Sequence, residues 1–181
     1  MNGYDATPWG SFFTAEVGAA AALTGLLFVA VSINLGRILD FPKLPARAAE
    51  TLGILLLAVI VASVALVPQV ARALGAEVAS AGLLFAGVTL RVQVTHGPDS
   101  PDDPRSWFLS RVAATAVPSV CFVLGGVSLA AHVGGGIYWL VPGLLLAFAG
   151  AAYNAWVLLV EIIRQNPKEP RSATSSGSSA T

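Results

Sequence analysis

Residues 71–94 read ARALGAEVASAGLLFAGVTLRVQV, and whether this stretch crosses a membrane decides the architecture of the whole chain. It is long enough, because a helix rising 1.5 Å per residue needs about 20 mostly apolar residues to cross the hydrocarbon of a bilayer. It is also the weakest candidate, being rich in small residues and holding Glu77. Stronger segments flank it, at about 11–35, 47–67, 107–132 and 137–163, separated by DFPKLP, HGPDSPDDPRS and HVGGG, with Pro68 ending the second.

The basic residues settle the doubtful span, since cytoplasmic loops collect Lys and Arg. With five spans, Arg37, Lys43, Arg47, Arg91, Arg105, Arg111, Arg164, Lys168 and Arg171 share one side and Arg72 stands alone on the other. Without the third span the basic residues divide between both sides, and the DFPKLP loop faces away from the other clusters. The expected fold is therefore an all-α integral membrane bundle of five transmembrane helices, N-terminus out and C-terminus in. Residues 1–10 form an extracytoplasmic start, 11–164 the transmembrane domain and 165–181 a disordered cytoplasmic tail, Ser- and Pro-rich with little apolar surface to fold. Tyr4, Trp9, Tyr138 and Trp139 fall at the outer headgroup level and Trp107 at the inner one, as interfacial aromatics do.

Composition agrees. Of 181 residues, 55% are hydrophobic and 11% charged, with no net charge, against roughly 25% charged in soluble domains. The balance and scatter of charge exclude a nucleic-acid footprint. The single cysteine, Cys121, excludes an intrachain disulfide or a CxxC site and reads as an apolar filler. The opening MNGYDATPWG lacks the basic start of a secretory signal, so the first apolar segment reads as a retained span.

Helices in lipid associate through small residues and interhelical hydrogen bonds. On the fifth span Gly143, Ala147, Gly150, Asn154 and Glu161 fall on one face at 100° per residue, and that face is expected to point inward. On the first, Glu16 and Asn34 are five turns apart on a shared face. Pro118 and Pro142 are expected to kink their helices. An ionisable group within a span needs a partner or a task. Glu16, Arg72 and Glu77, at similar outer depth, form the leading polar cluster, as a charge-neutralising clamp or as a protonatable or ion-binding site. Asn34, Asn154, Glu161, Gly143 and Gly150 form an inner polar and packing face. Glu50, three residues after Arg47, suits a helix start.

No metal site and no cofactor are expected. His96 and His132 lie on opposite sides, and no GxSxG, HExxH, Walker or dinucleotide pattern stands in a context that gives it meaning, so an enzyme is not expected. The acids of HGPDSPDDPRS lack EF-hand spacing. GLLFVAV at 25–31 echoes GLLFAGV at 82–88, but the acids do not align on the echo, so chance or shared packing preference accounts for it.

FFTAEVGAAAALTGLLFVAVSINLGRIL followed by LPARAAETL resembles small polytopic bacterial membrane proteins, some of them labelled modulators of the FtsH membrane protease. The likeness covers the first third of the chain and the later helices only in general pattern. It implies an accessory or regulatory role in a bacterial inner membrane and brings no functional residue with it. Two functions are therefore weighed: an accessory protein whose partners are the lipid bilayer and another membrane protein or a second copy, and a small oligomeric channel or transporter using Glu16 and Glu77. Cysteines introduced at positions 72 and 99 of a cysteine-free variant should be labelled from opposite sides of the membrane. Labelling of both from one side would remove the third span.

Overall fold

The computed structural model describes residues 3–40, 44–96 and 105–164, helical or turn-like with no strand among them. The expected tail at 165–181 and most of the HGPDSPDDPRS loop lie outside the described residues. Five helices are long and apolar enough to cross a membrane. They are α1 (Gly10–Ile33), α3 (Leu44–Leu66), α4 (Ala71–His96), α5 (Arg105–Ala131) and α6 (Leu140–Arg164), with a short α2 (Leu35–Leu39) after the first. In lipid every backbone N–H and C=O must bond within the chain, which is why each span is one unbroken helix. The end of the bundle where α1 begins is called here the amino end, and the opposite one the carboxyl end.

The topology is a ring of four helices with a fifth outside. α3 packs on α4, α4 on α5, α5 on α6 and α6 back on α3, while α1 lies mainly along α3 and only touches α6. Glycines set the spacing of the ring. A Cβ on Gly126 of α5 would stand 2.5 Å from both the Ala79 nitrogen and the Gly75 carbonyl oxygen of α4, so the two backbones meet with nothing between them. Gly53 of α3 receives the Phe85 ring of α4, and Gly143 of α6 receives the Phe122 ring of α5. The core they enclose is built from Ile54, Val61, Val78, Phe122, Leu129, Leu140 and Leu144, all essentially without exposure.

Helix ends follow local chemistry. Asn34 closes α1 and donates its side-chain amide to the Ala30 carbonyl at 2.9 Å. α5 stops in a Schellman-type turn, with His132 at φ 55° and the Val133 N–H donating to the Ser128 carbonyl at 3.2 Å. Three glycines at positive φ, Gly134 to Gly136, then reverse the chain into the 3-10 turn Gly136–Trp139. Pro118 lies inside α5, which continues through it from Arg105 to Ala131. Pro142 does not interrupt a ladder: α6 begins at Leu140, so the proline occupies the first turn, where its missing N–H has no intrahelical acceptor to lose.

The N-terminal segment is tied over the same end. The Ile137 N–H donates to the Gly3 carbonyl at 2.8 Å, the Gly135 N–H to the Tyr4 hydroxyl at 3.2 Å, and the Tyr4 ring stacks on His132 at 5.4 Å. A side chain at Gly136 would collide with the Gly3 carbonyl. Asp5 accepts the Thr7 N–H at 3.0 Å, which holds its carboxyl below the usual range. Gly126→Val should lower the unfolding free energy of the detergent-solubilised protein by about 1–3 kcal/mol, the range for overpacking a fitted site. Gly87→Ala, at a position with open space around it, should stabilise by up to about 1 kcal/mol through helix propensity alone.

Candidate functional site

The amino end of α1 carries the most unusual polar chemistry among the described residues. Phe13, Glu16, Ala20, Thr24 and Leu27 share the α1 face turned toward the bundle, with Phe13 and Ala20 fully buried and Glu16 half-buried, and Trp9 precedes them in the 3-10 turn Thr7–Trp9. Two buried polar side-chain atoms there have no hydrogen-bond partner, Trp9 Nε1 and Glu16 Oε2. They stand seven residues apart, Trp9 at the end of the 3-10 turn Thr7–Trp9 that leads into α1 and Glu16 in the second turn of α1. Trp9 makes edge contacts with Tyr138 at 5.3 Å and Phe12 at 6.1 Å, and Phe12 with Phe13 at 5.4 Å.

Arg72 and Glu77 stand elsewhere. Both are exposed on α4, which packs on α3 and α5, whereas Glu16 belongs to α1 on another flank of α3. Glu77 accepts the Gln69 amide at 2.8 Å, and no hydrogen bond or ion pair joins Glu16 to Arg72 or Glu77 among the described residues. No group of three His, Cys, Asp or Glu there could hold a metal ion.

A second polar region fills the carboxyl-end half of the four-helix ring. Glu50 and Thr51 of α3, Thr89 and Gln93 of α4, and Thr115 and Ser119 of α5 are all buried, Gln93 to 2% exposure. Gly53 lies against Phe85 and Gly150 against the Ala114 carbonyl, which brings Glu50, Thr89 and Thr115 to nearby depths. The Gln93 amide donates to the Thr115 hydroxyl at 3.2 Å, while Ser119 and Thr89 donate to carbonyls of their own helices. Toward the amino end the ring turns apolar, and Ser128 alone among its buried polar side chains lies there, donating to the Val133 carbonyl and accepting the Gly136 N–H.

Of the expected inner face, Gly143 and Gly150 are buried against α5, next to Phe122 and Ala114, and Asn154 is half-buried. Asn34 bonds its own helix, and no hydrogen bond joins it to Asn154. Glu161 falls on the last turn of α6, and its side chain lies outside the described part.

No family model, curated protein or solved structure matches the chain. Sequence reasoning missed Gln93, Thr115 and Ser119 as interior groups. The signal was faint: Thr89 and Gln93 on one helix, Thr115 and Ser119 on another, each pair spaced by four residues and so on one face. A double-mutant cycle on Gln93→Ala and Thr115→Ala should return a coupling of about 0.6–1.7 kcal/mol, as interhelical hydrogen bonds in lipid do. Additive losses in an unfolding assay would mean the pair adds nothing beyond packing.

Proposed function

We propose that the chain is a multi-pass accessory or regulatory protein of a bacterial inner membrane, N-terminus out, docked on another membrane protein through α1. The observation that carries this reading is the free side of α1. Opposite its bundle face, Ser11, Ala15, Gly18, Ala22, Gly25 and Val29 recur every three or four residues, and all six are exposed. Around Gly18 and Gly25 there is open space, whereas Gly53, Gly75, Gly126, Gly143 and Gly150 each meet a neighbouring helix closely. A helix surface of this kind suits close approach by another helix. The apolar amino-end half of the ring fits the same role, because the polar groups near the carboxyl end do not continue through it. The protease family named by the sequence resemblance supplies one class of partner.

A second reading, a small oligomeric channel or transporter using Glu16 and Glu77, draws support from the unpartnered Glu16 oxygen. One comparison separates the two. A photocrosslinking residue at position 22 should capture a distinct membrane protein in cell membranes, and the same probe at exposed Leu84 of α4 should not. Gly18→Leu should abolish the adduct. Lipid adducts alone from position 22, together with ion flux in proteoliposomes that Glu16→Gln or Glu77→Gln reduces, would select the channel reading instead.

A further inference from the structure

We propose that the outer face of α4 is the interface of a parallel homodimer, in which Arg72 of each copy pairs with Glu77 of the other. The inference is independent of the accessory role, since it concerns α4, which packs on α3 and α5, and not the free side of α1.

One side of α4 is filled by its neighbours, with Leu74, Val78, Thr89 and Gln93 buried there. On the opposite side Ala76, Ser80, Leu83, Gly87, Leu90 and Val94 are all exposed, and they recur at alternating steps of four and three residues. That alternation is the a and d seam of a heptad repeat, the surface a helix offers to a second helix running parallel to it. Ser80 and the open space around Gly87 allow the two main chains to approach closely. The exposed side of α5 differs, carrying Val117, Val120, Leu124 and Val127, large apolar side chains of the kind lipid accepts.

Charge identifies the occupant as a second copy. Arg72 and Glu77, both exposed, stand five residues and about 140° apart on α4, so they flank the seam at nearly equal angles, one on each side. In heptad terms they are a g position and the e position that follows it, whose side chains meet across a coiled-coil pair. Copies inserted in one orientation are related by a two-fold axis along the membrane normal, and that symmetry brings Arg72 of each copy to Glu77 of the other, twice over. Like charges are kept apart, because the two Glu77 side chains fall on opposite sides of the pair, as do the two of Arg91 on the same flank of the seam. Glu77 lies six residues into α4, about 9 Å along the axis, where a carboxylate facing lipid is costly. Among the described residues it accepts the Gln69 amide at 2.8 Å on one oxygen, and Arg72 makes no hydrogen bond or ion pair.

The test follows Förster transfer between full chains, labelled at the carboxyl terminus and diluted with lipid in liposomes. Transfer should fall with dilution as a two-body equilibrium. Arg72→Glu or Glu77→Arg should weaken association about tenfold, because two symmetry-related pairs become repulsive, and the two exchanges together should restore it to within about twofold. Gly87→Leu should also weaken it about tenfold by holding the seams apart. In a Cys121→Ser background, a cysteine at 83 should cross-link two copies and one at 22 on α1 should not. The proposal is overturned if transfer never exceeds that of randomly placed chains, if the single reversals leave it unchanged, if the double exchange is as weak as either single one, or if position 22 cross-links in place of 83. Should a single reversal fail to fold, undiminished association by Gly87→Leu overturns it equally.

Discussion

The four-helix ring is built on the contact of two backbones, α4 and α5, at Gly75 and Gly126. Water drives helices together in soluble proteins, but lipid is as apolar as leucine, so spans hold to one another by dispersion at short range and by hydrogen bonds. Dispersion falls steeply with distance, and only glycine lets main chains approach this closely. Once α4 and α5 are locked, Phe122 is fixed between their neighbours. Its Cβ sits under Gly82 of α4 and its ring fills the notch left by Gly143 of α6, so one side chain with no exposure keys three helices. Phe85 entering Gly53 attaches α3 to α4 by the same device, and α6 packing back on α3 closes the ring.

α1 shares none of these keys. Its glycines at 18 and 25 meet nothing, and it is held by Phe13 and Ala20 against α3 and by the hydrogen bonds that tie Gly3 and Tyr4 to the 135–137 turn. The helix is therefore the least anchored of the five, and local opening free energies should be lowest along it, in the sense that stability is distributed unevenly through a fold. A helix so placed keeps one side for the bundle and the other for lipid or a neighbour. Large apolar residues on that outer surface, such as Leu26, Phe28 and Ile33, are ordinary for a lipid-facing helix; the run of small ones between them is the distinctive part.

How much of this was legible follows from what sequence encodes directly. Span number, span order and the inward face of α6 come from hydropathy, charge asymmetry and a 100° periodicity, and the structure has five apolar helices with Gly143 and Gly150 buried against α5. Depth along a span is likewise countable from its ends, but azimuth and neighbour order are not. Glu16, Arg72 and Glu77 share a depth in the sequence, yet α1 and α4 both take α3 as neighbour and stand on different flanks of it. The buried Gln93, Thr115 and Ser119 were obscure for the same reason, because threonine and serine are nearly neutral in hydropathy and only the α4–α5 crossing puts them inside. Pro142 misled through a boundary: a span counted from residue 137 makes it interior, whereas the glycine-rich reversal delays α6 to Leu140.

The two halves of the molecule treat polarity differently, and that difference carries the functional argument. Near the carboxyl end, Gln93 turns to Thr115 across α4 and α5, and Thr89 and Ser119 turn to carbonyls of their own helices. Such bonds make a core specific without leaving anything to bind. At the amino end even the loop is economical, with Ser128 both accepting from Gly136 and donating to Val133, and the Trp139 indole donating to the Gly134 carbonyl at 2.9 Å. Against that background, Trp9 Nε1 and Glu16 Oε2, at and just after the start of α1, are exceptions. Selection for stability alone would replace either at little cost, for a leucine at position 16 or a phenylalanine at position 9 leaves no orphan.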